Sequence, residues 1–75
     1  MKVSTGNVLK GKIKSIKKGA VNGEVMIKVA RGVEVMASIP LEGIKRLGLA
    51  KGKEAYAIIK ASDVMVGTPH RKRGR

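Results

Sequence analysis

The chain has 75 residues, and its 17 lysines and arginines against 5 acidic residues give a formal net charge of +12. This length fits one small domain with a small core. The absence of cysteine excludes a disulfide framework and a zinc-thiolate site, and His70 alone cannot form a multi-histidine metal site. No apolar run reaches the roughly 18 residues of a membrane helix, and residues 1–6 lack a signal-peptide pattern. We therefore expect a cytoplasmic protein without a membrane partner.

The first three predicted elements are strands. Residues 8–17 alternate between two faces. The inward-facing residues are Leu9, Gly11, Ile13 and Ser15, and the outward-facing residues are Lys10, Lys12 and Lys14. After a turn at 18–20, residues 21–29 alternate with Val21, Gly23, Val25, Ile27 and Val29 on one face. A short connection at 30–32 leads to Val33, Val35, Ala37 and Ile39, which face inward again. The second and third strands are predicted to pair as a hairpin.

A change of period predicts a helix of about two turns after the third strand. Pro40 suits the first helical position, Glu42 complements the helix dipole in the first turn, and Gly48 suits the C-terminal cap. Residues 54–60 then form a strand that is apolar on both faces, which predicts that each face is covered. Residues 64–66 form a last short strand.

Five strands with a helix between the third and the fourth predict an all-β fold, a small closed barrel of the oligonucleotide/oligosaccharide-binding type. The barrel is expected to span residues 1–67, and residues 68–75 form a flexible basic tail. Since Tyr56 is the only aromatic residue, part of the core is expected to come from contacts between subunits.

Four motifs resemble the Mop family of molybdate- and tungstate-binding molbindins, whose domain is of the TOBE type. Residues 4–12 resemble the family's opening S-x-R-N-x-x-x-G, and residues 17–22 resemble its K-x-G-A-V turn. Residues 47–54 resemble its L-G-L-x-x-G link, and residues 59–65 resemble its closing strand. The resemblance covers residues 2–67, with the motifs in order. It implies a homohexamer, a trimer of dimers, that stores molybdate or tungstate at subunit interfaces, with no organic cofactor and no direct metal ligands.

The resemblance and the chemistry of a tetrahedral dianion together indicate the site residues. Such an anion needs N–H and O–H donors and positive charge in place of its water shell. Short polar side chains, one lysine and glycine-rich backbone segments supply these groups. The candidate oxyanion-binding residues are Ser4, Thr5, Asn7, Gly19, Ala20, Val21, Gly43, Lys60, Ala61 and Ser62.

The chain also departs from the family pattern. Gly6 stands where the family commonly has arginine, and Pro40 and Gly43 stand where relatives carry hydroxyl residues. The loss of the arginine removes a charged bidentate donor, which is expected to weaken the site or change its preference.

Two other functions remain open from the sequence. The net charge and the basic tail fit a barrel that binds nucleic acid without sequence preference, but one tyrosine cannot supply a stacking platform for bases. A hexameric assembly protein whose oxyanion sites have lapsed is the other alternative. An enzyme is not expected, because Asp63 and the four glutamates show no pairing with a nucleophile or base.

Overall fold

The computed structural model describes residues 6–69. Its regular elements are the strands β1 (Gly6–Lys18), β2 (Asn22–Ala30), β3 (Val33–Pro40) and β4 (Glu54–Lys60), the helix α1 (Leu41–Leu47) and a single 3₁₀ turn (Ala61–Asp63). The four strands form one antiparallel sheet in the order β3-β2-β1-β4. This curled sheet confirms the predicted all-β class with one helix between the third and fourth strands.

Strand β1 is long because it pairs with two neighbouring strands. Its first half pairs with β4 from Gly6 to Lys12, and its second half pairs with β2 from Lys12 to Lys18. Lys12 pairs on both sides. Gly11 lies at the junction, where a Cβ atom would collide with the carbonyl oxygen of Lys28. The missing side chain therefore allows β2 to approach β1 at the point where the sheet turns.

A β-bulge in β1 changes which residues face the core. Ile13 pairs with Ile27 and Ser15 with Met26, so Lys14 and Ser15 together stand opposite one residue of β2. Beyond the bulge Ile16 packs against the core, and Ser15 is exposed. The prediction that Ser15 faces inward is therefore wrong, because simple alternation does not include the extra residue.

The fully buried core is small. It consists of aliphatic side chains from three strands and the helix, namely Ile13, Val25, Ile27, Ile44 and Ala57. Besides Ser15, three residues predicted to face inward are exposed, since Val21 is 71% exposed in the turn before β2, Val33 is 50% exposed at the hairpin and Leu9 is 38% exposed in β1. Val21 and Val33 lie at strand ends, where the sheet no longer covers them.

The helix closes one end of the sheet. It begins at Leu41, directly after Pro40, and Ile44 is the residue that it buries. Gly48 ends the helix in the left-handed conformation, with φ 64° and ψ 35°. The amide of Leu49 donates to the carbonyl of Ile44 at 3.0 Å. The predicted helix and its glycine cap are confirmed, with Pro40 one position before the first helical residue.

The predicted fifth strand is wrong. Residues 64–66 have no regular structure, and Met65 and Val66 are 92% and 91% exposed. Within residues 6–69 no strand joins the outer edges of β3 and β4, so the sheet is an open half-barrel and not a closed barrel. Three apolar residues do not form a stable strand without a neighbouring strand to pair with.

The open side of the half-barrel is an apolar hollow of about 540 Å³. Residues 35–39 of β3, residues 55–59 of β4, Leu47 and Leu49 line it. Tyr56 and Ile58 are 43% and 46% exposed. The prediction that β4 is covered on both faces is therefore wrong for the single chain, because Tyr56 and Ile58 alternate with the core-facing Ala55 and Ala57 and lie on the uncovered outer face of the sheet.

Candidate functional site

Four candidate residues meet where β1 begins and β4 ends. Gly6 pairs with Lys60, and Asn7 pairs with Ile59, so the strand register brings Asn7 beside the last residues of β4. Lys60 is followed at once by the 3₁₀ turn that starts with Ala61 and Ser62. We call Asn7, Lys60, Ala61 and Ser62 the strand-end site.

The strand-end site carries hydrogen-bond donors and one positive charge. The Asn7 amide nitrogen Nδ2 donates to the carbonyl of Ile59 at 3.1 Å, which anchors the half-buried side chain and leaves its second N–H free to donate elsewhere. Lys60 and Ser62 are exposed and add an ammonium and a hydroxyl group. Ser4 and Thr5, which were predicted to join them, lie outside the described residues.

Gly6 shapes the backbone of this site. It holds a φ of 103°, in a region that side chains disfavour, and a Cβ atom would lie 3.3 Å from the Cβ of Ala61. The glycine therefore fits a close approach between the start of β1 and the turn after β4. An arginine at this position would need a different local backbone.

A second group of candidate residues surrounds the turn between β1 and β2. The amide of Gly19 donates to the carbonyl of Asn22 at 2.8 Å, which closes the turn that contains Ala20 and Val21. A polar cleft of about 250 Å³ lies beside this turn. Its lining residues are Lys17, Lys18, Gly19, Asn22, Gly23, Glu24 and Ser38. We call it the turn cleft.

The sequence prediction missed most of the side chains of the turn cleft. Lys17, Lys18, Asn22 and Ser38 offer donors there, while the Glu24 carboxylate is an acceptor that repels anions. Ser38 pairs with Glu24 across β2 and β3. Ser38 could have been identified from the sequence, because it lies two residues before Pro40 on the outward face of an alternating strand.

Gly43 lies at the same end of the sheet as the turn. The amide of Leu41 donates to the carbonyl of Val21 at 2.9 Å, which fixes the start of α1 beside the turn. A Cβ atom on Gly43 would lie 3.0 Å from Cγ2 of Ile39. Close packing of helix against strand is thus sufficient to explain this glycine.

The structure separates the candidate residues into two groups. The strand-end site lies where β1 begins, and the turn follows Lys18, the last residue of this 13-residue strand. At about 3.3 Å per residue the strand between them is at most about 40 Å long. In one chain the two groups therefore lie at opposite ends of β1.

The described residues provide neither a metal cluster nor a membrane span. Between Gly6 and Pro69, no three of the His, Cys, Asp and Glu side chains lie close enough to hold a metal ion. In the same part of the chain, no helix has the length and apolar character needed to cross a membrane.

Comparisons with known proteins agree with this fold. The TOBE domain model matches residues 3–66. A probable molybdenum-pterin-binding protein of Haemophilus influenzae is 51% identical over 67 residues, which cover 89% of this chain and 97% of the relative. Molybdenum-pterin-binding protein 3 of Clostridium pasteurianum is 44% identical over 66 residues, which cover 88% of this chain and 97% of that protein.

Solved structures show the same architecture. MopII from Clostridium pasteurianum, in an apo form, superposes with a TM-score of 0.83 at 37% identity, over 89% of this chain and all of that one. The cytoplasmic molybdate-binding protein ModG, with molybdate bound, superposes with a TM-score of 0.86 at 40% identity. This match covers 92% of the chain and 49% of ModG, so the chain spans about half of that protein.

The half-barrel with its single helix is thus a small β domain of the TOBE type. The chain belongs to the TOBE domain family and, within it, to the Mop proteins.

Proposed function

We propose that the chain binds molybdate, and tungstate by the same chemistry, and stores the oxyanion in the cytoplasm. The observation that carries this proposal is the strand-end site, where the register of β1 and β4 places the anchored amide of Asn7 next to the end of β4, which bears the ammonium group of Lys60 and the hydroxyl group of Ser62. Two similarities support it: the Haemophilus influenzae relative is named for molybdenum-pterin binding, and ModG was solved with molybdate bound.

The donor set suits a tetrahedral dianion. Lys60 supplies positive charge, Ser62 an O–H donor and Asn7 an N–H donor, and the 3₁₀ turn adds backbone amides at Ala61 and Ser62. Ser4 and Thr5 directly precede these residues in the sequence, and we propose that their hydroxyl groups complete the set.

We further propose that the sites form between copies of the chain, in a homohexamer built as a trimer of dimers. The location of the two candidate groups at opposite ends of β1 supports this arrangement, because a second copy can bring its turn next to a strand-end site. In such an assembly Gly19, Ala20, Val21 and Gly43 of one copy would face the strand-end site of another.

The exposed apolar surface gives a second reason for assembly. The hollow between β3 and β4 exposes two strand edges that have no partner strand within residues 6–69, and edges of this kind pair readily with another chain. Residues 64–66 are apolar and exposed, and they lack a partner within the described part of their own chain. We propose that a neighbouring copy covers both surfaces.

We assign the chain to binding and storage and not to catalysis. The relatives that the chain resembles are named as binding proteins. The chemistry of the strand-end site agrees, since donors around a stable dianion hold it without needing a proton acceptor or a nucleophile.

Equilibrium dialysis tests the proposal. Molybdate, tungstate, sulfate and phosphate are compared at matched ionic strength, since screening weakens a merely cationic surface more than a built pocket. The Lys60→Gln variant is expected to lose molybdate affinity about tenfold, from the loss of one charge-assisted hydrogen bond. Lys45→Gln, which removes the same charge from α1, is the matched control. Equal losses in both variants, or equal binding of all four anions, would refute a specific site.

A further inference from the structure

The outer face of the sheet carries a row of four charged residues. Glu54 pairs with Lys12, Lys12 with Lys28, and Lys28 with Glu34, so one residue from each strand contributes. Residues paired directly across strands have side chains on the same face. The flanking Ile13, Ile27 and Ala55 pack in or against the core, which places the row on the opposite, convex face.

The two glutamates of this row already have other partners. Lys10 binds Glu54 at 3.1 Å, and Lys14 binds Glu34 at 2.7 Å. Lys12 and Lys28 are therefore left facing each other at the centre of the sheet, where like charges on directly opposed residues destabilise the pairing. The centre of the face holds an excess of positive charge that an external anion would neutralise.

The lysines also form a line. Lys10, Lys12 and Lys14 recur at every second position of β1, a spacing of about 6.6 Å along an extended strand. Lys28 lies beside the middle of this line. A linear array of charges matches a linear polyanion better than a compact ion, which would engage one or two of them.

The ion pairs at the sides do not prevent such binding. The side chains of Lys10 and Glu54 are 65% and 53% exposed, and those of Lys14 and Glu34 are 56% and 31% exposed. Exposed pairs of this kind contribute little to stability, so their lysines can exchange a carboxylate for a phosphate at little cost. All four lysines are thus available to a polyanion.

From this arrangement we propose that the convex face, defined by Lys10, Lys12, Lys14 and Lys28, binds the phosphate backbone of double-helical nucleic acid. Binding rests on phosphate neutralisation and is independent of base sequence, because lysines aimed at phosphates carry no sequence information. The face is distinct from the strand-end site and the turn cleft, so the protein has a polyanion surface in addition to its oxyanion site.

Fluorescence anisotropy with labelled duplex DNA tests the proposal. Two duplexes of unrelated sequence are titrated with the full chain over a range of salt concentrations, and equal affinities are expected. In the Lys12→Gln/Lys28→Gln variant we expect affinity to fall about tenfold and the slope of log K against log salt to fall by about 1.8, or about 0.9 for each lost phosphate contact.

The matched control is Lys45→Gln/Arg46→Gln, which removes the same two charges from α1, away from the convex face. The control should retain most of its DNA affinity. A melting curve checks the folding of the first variant, whose melting temperature should not fall, because its substitutions remove repulsion between Lys12 and Lys28.

Three outcomes would overturn the proposal. Equal losses in the two double variants would assign the binding to net charge alone. Loss of all DNA binding on deletion of residues 70–75 would assign it to the tail, which holds four of the basic residues. Binding to anionic phospholipid vesicles without binding to DNA would identify the face as a membrane-contacting surface.

Discussion

Gly6 and Lys60 pair directly across β1 and β4, and Gly6 holds its position with a φ of 103°. The position at which the family commonly has arginine is thus a glycine in a backbone conformation that side chains disfavour. The chain therefore lacks the guanidinium group and also has a backbone conformation that suits glycine. A Gly6→Arg substitution would restore the side chain but would strain the backbone.

The Gly6→Arg variant is therefore expected to be destabilised by about 1–3 kcal/mol, the cost of holding a side chain in a sparsely populated backbone region. Gly6→Ala isolates this backbone cost. If the added guanidinium contacts the anion, molybdate should raise the stability of the arginine variant more than that of the alanine variant. Urea denaturation of both, with and without molybdate, measures the difference, and identical shifts would show that position 6 does not reach the ligand.

Gly11→Ala is expected to be more damaging than Gly23→Ala. A Cβ atom at Gly11 would collide with the backbone oxygen of Lys28, whereas at Gly23 it would lie 2.5 Å from Cδ1, the terminal side-chain atom of Ile44. We expect a loss of about 1–3 kcal/mol for Gly23→Ala, typical of overpacking, and a larger loss for Gly11→Ala. Gly67→Ala, where a Cβ atom meets open space, is the control in thermal denaturation. The reverse order would mean that β1 and β2 can separate at Gly11 more easily than the helix can move.

The ion pair between Lys10 and Glu54 predicts a pH effect. The pKa of Lys10 is raised above its ordinary value of 10.5, mainly by the hydrogen bond to Glu54 and then by attraction to the same carboxylate. The stabilising contribution is therefore fully present below about pH 10.5 and is lost as the pH rises through the raised pKa. Glu54→Gln should return the pKa of Lys10 toward its ordinary value in an NMR titration, and Glu34→Gln, which affects Lys14, should leave it raised. A Lys10 titration that Glu54→Gln does not change would contradict the pair.

Met65→Asp tests assembly apart from folding. Met65 is 92% exposed in the single chain, so the substitution should hardly change the secondary structure seen by circular dichroism. If a neighbouring copy covers this residue, a buried unpaired carboxylate should dissociate the oligomer. Sedimentation should then show smaller species, whereas Val33→Asp, an exposed substitution in the hairpin, should leave the oligomer intact. An unchanged sedimentation profile for Met65→Asp would place residues 64–66 outside the interface.

The sequence predicted the parts of the fold that depend on local patterns. Alternation around Val25 and Ile27 located β2, and Pro40 and Gly48 marked the limits of α1, because their backbone preferences act within a single turn. The main errors depend on non-local features. Ser15 was misplaced by a bulge that only pairing with β2 determines, Tyr56 by the uncovered outer face of the sheet, and residues 64–66 by the absence of a partner strand within the described residues.

The candidate site was predictable only as a set of residue types. Donor chemistry and the family motifs selected Asn7 and Lys60, and the register of β1 with β4 brings them together. The predicted strand over residues 8–17 already separated these residues from Gly19, and the structure places the two groups at opposite ends of β1. Ser38 was missed because it belongs to β3, which lines the turn cleft but is remote in sequence from the turn between β1 and β2.

The bulge at Lys14 and Ser15 has an evolutionary consequence. Loss of one residue within a strand normally turns every later side chain to the wrong face, so such deletions are eliminated by selection. Here two residues of β1 stand opposite one residue of β2, and removal of one of them would restore regular alternation with Ile13 and Ile16 still facing the core. This point in β1 is therefore a place where related chains can differ in length by one residue without a change of fold.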